Sequence, residues 1–172
     1  MPLDLARVRG DFPFLTGGTS LVWFDGAATS LKPRRVIEAV ELYLAEYPGN
    51  VHRGQNAVSN RASEAYEASR QRLARFLGAR AAEVVFVRGT TEAVNLVAAG
   101  LGLSREDNVV ATILEHHSNL LPWRARCAVR LAPLTPSGLP DLAAAERLVD
   151  GHTRLVAVTA CSNVTGANVP VE

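Results

Sequence analysis

The chain has 172 residues, of which 48% are hydrophobic, and its formal net charge is +1. A chain of this size can bury an adequate core as one globular domain, and because its basic residues form no stripe we expect no nucleic-acid partner. Charged residues interrupt the N-terminal region where a secretory signal needs an apolar core. No apolar run is long enough to span a bilayer, so we expect a cytoplasmic protein without a membrane partner.

The first half of the chain is predicted to be mainly helical. Apolar residues recur at helical spacing after Pro33, which suits the first turn of a helix. A second amphipathic pattern stops at Gly78, a residue typical of helix C-termini. The predicted elements are a short helix over residues 3–9, a strand over 21–24, a helix over 33–47 and a long helix over 59–77.

Two loops in this half are candidates for function. Ala28 lies in a loop of small residues, which lets the backbone approach a ligand closely, although such a loop also serves as a plain connection. His52 and Arg53 lie in a polar loop between the two long helices, and the pattern gives them no packing task. A solvated loop is the alternative interpretation there.

The turn Gly89-Thr90-Thr91 follows an apolar run over residues 84–87 and precedes a helical pattern over 90–102. The apolar, β-branched run predicts a buried strand. The first N–H groups of a helix have no intrahelical partner, so a phosphate can accept hydrogen bonds from them and from the two threonine hydroxyls. Arg88 would add positive potential. The alternative is an ordinary strand-to-helix junction in which these residues only turn and cap the chain.

The second half alternates strands with helices, which predicts an α/β fold with a mostly parallel sheet flanked by helices. The predicted strands span residues 108–114, 129–134 and 154–160, and the helices span 119–127 and 142–149. Polar segments follow three of the predicted strands: Thr90-Thr91, His116-His117 and the run over 162–166. Ligands of open α/β sheets bind at the carboxyl ends of the strands, so we expect these segments to converge on one crevice.

Histidine and cysteine patterns do not predict a metal site or a disulfide framework. Adjacent histidines point in different directions, and no cysteine or carboxylate lies at a ligand spacing from His116 and His117. Cys127 and Cys161 have no CxxC spacing, and their neighbours predict buried, inert thiols.

Several of these segments, in this order, resemble the cysteine desulfurase and selenocysteine lyase group of class V aminotransferase-like enzymes, which use pyridoxal phosphate. The resemblance extends over nearly the whole chain. The matching stretches are residues 24–33 (FDGAATSLKP), 50–54 (NVHRG), 88–96 (RGTTEAVNL), 115–123 (EHHSNLLPW) and 162–166 (SNVTG).

The resemblance implies a role for each candidate residue. Thr90 and Thr91 hold the cofactor phosphate, and His117 stacks on the pyridine ring and is a possible acid or base. Asn163 lies beside the ring hydroxyl and the substrate carboxylate. The residues that line the substrate pocket are Ala28, His52, Arg53 and Asn163, with Arg53 reaching across the interface of a homodimer.

The resemblance also implies a partial fold. Residues 1–20 form an N-terminal arm and helix, and residues 21–172 form the first part of the cofactor-binding large domain of fold type I, truncated before its end. The Schiff-base lysine and the nucleophilic cysteine of the family come later than this chain extends. The only lysine here, Lys32, matches no cofactor lysine, and Cys127 and Cys161 match no nucleophile. Ala160 stands where the family often has a histidine.

The sequence therefore predicts the N-terminal part of a pyridoxal phosphate-dependent cysteine desulfurase-like enzyme, inactive as this chain alone. Its amino-acid substrate would be cysteine or selenocysteine, converted to alanine. Two alternatives stay open. One is a short, non-catalytic module that binds a phosphate ligand or completes its site with a partner subunit. The other is an aminotransferase or epimerase of the same fold, because the residues that separate these reactions lie beyond residue 172.

Overall fold

The computed structural model describes residues 3–18 and 20–170. By their contacts they divide into two compact units, the first ending at Phe86 and the second beginning at Val87. The predicted division at residue 20 stays a prediction. No helix among the described residues is long and apolar enough to cross a membrane.

The first unit is helical, with α1 (Leu5–Gly10), α2 (Pro13–Thr16), α3 (Arg34–Glu46), α4 (Ala57–Leu77) and a 3-10 turn over Ala81–Glu83. Helix α4 begins where the side chain of Asn56 accepts a hydrogen bond from the Ser59 N–H, which satisfies one of the free donors of its first turn. It ends at Gly78, whose φ of 67° is in the left-handed region that glycine adopts without strain. Both long helices predicted from the sequence are therefore present, within a few residues of their expected ends.

Two predicted strands of this part of the chain are absent. Residues 21–24 and 84–87 have no regular secondary structure and belong to no strand of the described structure. Phe24 is 93% exposed and Val85 is 66% exposed. An apolar run becomes a strand only where a neighbouring strand pairs with it, and that condition is not visible in the run's own composition.

The second unit contains a three-stranded parallel sheet of order β2-β1-β3, formed by β1 (Asn108–Thr112), β2 (Ala128–Ala132) and β3 (Thr153–Ala157). Its helices are α5 (Thr90–Gly100), α6 (Leu121–Arg124) and α7 (Leu142–Arg147), with a 3-10 turn over His117–Asn119. The parallel α/β prediction is confirmed. The single helix predicted over 119–127 is instead the 3-10 turn followed by α6.

The central strand β1 organises the core of this unit. All five of its residues are buried, as expected for a parallel strand that is covered on both faces. Val109 and Ala111 pack with Ala98 of α5, Trp123 of α6 and Ala157 of β3. This packing fixes the end of β1, from which the candidate site begins.

Candidate functional site

A cavity of about 290 Å³ lies where two polar segments leave the sheet. Strands β1 and β3 are parallel neighbours, so their carboxyl ends lie at the same edge. The lining residues come from the segment after β1 and the segment after β3, and they are Ile113, Leu114, Glu115, His116, His117, Ser162, Asn163, Val164 and Thr165. The structure therefore brings two of the three predicted segments, those of His117 and Asn163, to one cavity, whereas Thr90 and Thr91 are not among the residues that line it.

The carboxylate of Glu115 ties the elements of this cavity together. Its Oε1 accepts hydrogen bonds from the Thr112 hydroxyl at 2.6 Å and from the Thr159 N–H at 2.9 Å. Its Oε2 accepts a hydrogen bond from the Asn119 amide at 2.7 Å. Asn119 in turn accepts a hydrogen bond from the buried Trp123 indole at 3.3 Å. One side chain thus joins the end of β1, the His117–Asn119 turn and the segment that follows β3.

His116 caps the short turn that carries His117. Its Nδ1 accepts a hydrogen bond from the Ser118 N–H at 3.1 Å and lies 2.8 Å from the Ser118 hydroxyl. An acceptor at Nδ1 requires the neutral ring with its proton on Nε2. The rings of His116 and His117 are 6.1 Å apart and tilted by 59°. Within the described ranges, no group of three or more His, Cys, Asp or Glu residues could hold a metal ion.

Asn163 lies at the tip of a tight turn that follows β3. The buried Ser162 hydroxyl accepts hydrogen bonds from the Val164 and Thr165 N–H groups, both at 3.3 Å. Gly166, with φ of 69°, donates to the Ser162 carbonyl and closes the turn. The Asn163 side chain is exposed, and no described residue hydrogen-bonds to it. The turn therefore presents a free amide to the cavity.

Thr90 and Thr91 begin helix α5, which packs against the 3-10 turn that carries His117. Both residues are exposed, and neither hydroxyl has a hydrogen-bond partner among the described residues. Gly89 before them is extended, and no side chain caps the helix. The start of α5 thus offers unpaired N–H donors together with two hydroxyl groups.

Arg88 contributes less positive potential to this helix start than the sequence suggests. Its Nε lies 3.2 Å from Oε2 of Glu92, and the same carboxylate accepts a hydrogen bond from the Arg88 N–H at 2.6 Å. These hydrogen bonds lower the pKa of Glu92, which therefore remains an anion at neutral pH. The pair is nearly charge-neutral, so the donors of α5 itself remain as the anion-binding feature.

Ala28, His52 and Arg53 belong to the first unit. Ala28 is exposed in a turn, where its N–H donates to the Asp25 carbonyl. His52 and Arg53 are exposed in the turn between α3 and α4, and Nε2 of His52 lies 2.6 Å from Oε1 of Glu67. The alternative interpretation of this loop as a solvated segment does not fit His52, because Glu67 of helix α4 contacts its imidazole.

The two cysteines differ from each other. Cys127 is buried, and burial raises the pKa of its thiol, as an inert core residue requires. The prediction of a buried thiol is wrong for Cys161, which is exposed. Cys161 lies at the start of the turn that carries Asn163, and it is not part of the hydrophobic core that packs around β1.

Sequence reasoning assigned no role to Glu115 or Asn119, although both lie in the segment that carries the paired histidines. A carboxylate placed three residues after a buried strand was the available signal. The structural role of this carboxylate depends on its hydrogen bond from the Thr159 N–H, and Thr159 is 44 residues away in the sequence. Only the fold shows that these groups meet.

Comparison with known proteins gives one consistent result. The family model for class-V aminotransferases matches residues 22–172. The cysteine desulfurase of Pectobacterium carotovorum is 44% identical over 185 aligned positions, which cover 100% of this chain and 45% of that protein. A probable cysteine desulfurase of Mycolicibacterium paratuberculosis is 40% identical, and the match covers 98% of this chain and 26% of that protein.

Solved structures agree with this match. The apo cysteine desulfurase of Thermococcus onnurineus superposes with a TM-score of 0.87 at 39% identity, over 99% of this chain and 43% of that one. This chain therefore spans less than half the length of the relatives described here, and it matches their N-terminal part.

Proposed function

Because the chain belongs to the class-V aminotransferase family, we propose that it forms the N-terminal part of a pyridoxal phosphate-dependent cysteine desulfurase. The whole protein would take sulfur from cysteine, or selenium from selenocysteine, and leave alanine. We further propose that it works as a homodimer in the cytoplasm. The observation that carries the proposal is the cavity that His117 and Asn163 share, in a chain whose relatives are cysteine desulfurases.

The residues at the start of α5 fit the phosphate of this cofactor. Thr90 and Thr91 have free hydroxyls and lie where a helix leaves its first N–H groups unpaired. A dianionic phosphate needs several donors and gains from the positive end of the helix dipole. The group itself, when bound, supplies an electron sink for the bond changes at the substrate.

The proposed roles of the cavity residues follow from their chemistry. The flat imidazole of His117 would cover one face of the cofactor ring and fix its plane, and its nitrogen atoms could hold or move a proton at the substrate. The free Asn163 amide can donate to an oxygen of the ring or of a carboxylate. Ala28, His52 and Arg53 would contact the substrate, with Arg53 binding its carboxylate from across the dimer interface.

Two groups that the reaction needs are not supplied by this chain. The cofactor-holding lysine has no candidate, because the only lysine, Lys32, matches no cofactor lysine of the family, and its ammonium group donates a hydrogen bond to the Ser30 carbonyl within its own loop. The thiolate that accepts sulfur has no candidate either, because Cys127 is buried and Cys161 matches no family nucleophile. We therefore propose that the chain is inactive by itself.

The test is to determine the reading frame after codon 172 and to assay the protein it encodes. We expect an open frame whose product, loaded with pyridoxal phosphate and given a thiol reductant to reduce the enzyme persulfide, releases sulfide and alanine from cysteine. A stop codon at that point, with a well-behaved short product, would favour a non-catalytic module. A product that transfers amino groups would favour an aminotransferase, and one that inverts the configuration of an amino acid without releasing sulfide would favour an epimerase.

A further inference from the structure

His52 has an unusual backbone conformation. Its φ of 66° makes it the one non-glycine residue with positive φ in the part of the chain that the structure describes. Histidine adopts this left-handed region more often than most residues, but the conformation is still uncommon and persists where surrounding contacts enforce it. The contacts that enforce it here come from one helix.

Helix α4 contacts His52 through three side chains. The Ser63 hydroxyl accepts a hydrogen bond from the His52 N–H at 2.8 Å. The Glu67 carboxylate lies 2.6 Å from Nε2 of the imidazole. The Tyr66 ring packs edge-on against the imidazole, with centroids 5.4 Å apart. Because residues 63, 66 and 67 lie on one face of a helix, α4 fixes both the backbone and the ring of His52.

Glu67 is itself held in place. Arg70, one turn further along α4, donates from Nε to Oε2 of Glu67 at 3.0 Å. This hydrogen bond lowers the pKa of Glu67, so the carboxylate is an anion at neutral pH. Tyr66 is packed in turn against Phe86, with ring centroids 5.1 Å apart. The groups that hold His52 therefore have their own supports and do not depend on it alone.

This arrangement makes the two imidazole nitrogens unequal. An ionised carboxylate can only accept hydrogen bonds, so Nε2 carries a proton and donates a hydrogen bond to Glu67. No described residue hydrogen-bonds to Nδ1, and the His52 side chain is 50% exposed. The nitrogen that is free to meet a ligand is thus Nδ1.

We propose that Glu67 is a positioning residue for His52, which fixes the imidazole through Nε2 and leaves Nδ1 for the amino-acid substrate. The statement about the substrate rests on the proposed function. The statement about the imidazole does not, because it concerns contacts within the first unit. Glu64 offers a matched control, since it lies on the same helix, is exposed and has no partner among the described residues.

The first experiment observes the imidazole directly. In a ¹⁵N-labelled chain, the Nε2–H proton of His52, assigned with H52N, should give a hydrogen-bonded signal at alkaline pH, where histidine rings are neutral. We expect E67A to abolish that signal, E67Q to weaken it and E64A to leave it unchanged. Circular dichroism shows whether each variant is folded. A signal that survives in folded E67A would overturn the proposal.

The second experiment measures kcat/KM for cysteine in the whole protein. E67Q should lower it about tenfold, which corresponds to about 1.4 kcal/mol of lost transition-state stabilisation, and E67D should restore part of the loss. E64Q should have no effect. If the ring signal is lost but kcat/KM is unchanged, the substrate role of Nδ1 is wrong. If the wild-type protein, in the presence of a thiol reductant, forms neither alanine nor sulfide from cysteine, the proposed function fails, while the ring signal still decides the role of Glu67.

Discussion

Replacing Glu115 by alanine should loosen the cavity without touching a proposed ligand contact. The side chain accepts three hydrogen bonds, from Thr112, Asn119 and the Thr159 N–H, at 2.6 to 2.9 Å. Hydrogen bonds to a charged group contribute about 1.5–3 kcal/mol each, and a donor left unsatisfied costs about 1–3 kcal/mol. The Thr112 hydroxyl can find water or rotate, so we count mainly the other two donors. We expect E115A to lower the free energy of unfolding by about 2–4 kcal/mol.

Urea denaturation followed by circular dichroism measures this loss. E115Q keeps one acceptor oxygen and should lose about half as much, and E106Q is a matched control because Glu106 is exposed and its carboxylate accepts no hydrogen bond among the described residues. The amide proton of Thr159 should exchange with solvent faster in E115A, because its acceptor is gone. An E115A chain as stable as wild type, with Thr159 still protected, would refute the linking role of Glu115.

Three further predictions concern other parts of the structure. The isosteric variant T90V/T91V should bind deoxypyridoxine phosphate about tenfold more weakly than wild type, because both hydroxyl donors are lost. Isothermal titration calorimetry measures the two dissociation constants, and an unchanged affinity would exclude the two hydroxyls as ligands. Asp107 has a pKa lowered to about 2, mainly by its hydrogen bond from the Ser104 N–H, so its stabilisation is present above about pH 4 and is lost as the pH falls toward 2. In urea titrations, D107N should accordingly be less stable than wild type at pH about 6 and equally stable near pH 2; a pH-independent difference would contradict the assignment. H52A and H52G lose the same imidazole contacts, but only alanine is strained in the left-handed backbone conformation of residue 52. H52G should therefore be more stable than H52A by about 1 kcal/mol in urea denaturation, and equal stability of the two variants would argue against strain at this residue.

The sequence was most informative where one local pattern determines the structure. The predicted strand over 108–114 contains the consecutive apolar residues Val109, Val110 and Ala111, and residues 108–112 form the buried central strand. Gly78 ends α4 as predicted, because capping is decided within a few residues, whereas Asn56 caps a helix start at Ala57, two residues before the predicted start at 59. Strand order then explains why His117 and Asn163 reach the same cavity, since parallel neighbours end at one edge.

Features that depend on distant partners could not be predicted. The run over residues 84–87 looks like a strand but has no paired neighbour in the described structure, and pairing is not encoded in the run itself. The role of Glu115 depends on Thr159, and the left-handed turn at His52 depends on Ser63 and Glu67. In both cases, the contact forms only when the fold brings two distant segments of the chain together, so the role of the residue is not visible in its local sequence.

We propose that the start of α5 binds the phosphate of a cofactor whose ring lies beside His117 and Asn163. This proposal is tested most directly by a ¹H–¹⁵N titration of the chain with deoxypyridoxine phosphate, which lacks the aldehyde and cannot react with Lys32. Unphosphorylated deoxypyridoxine is the matched control. We predict that the phosphate form shifts the amides of Thr90 and Thr91 together with those of His117 and Asn163, and that the control shifts Thr90 and Thr91 much less. Equal shifts with both compounds, or shifts that leave Thr90 and Thr91 unchanged, would contradict the account.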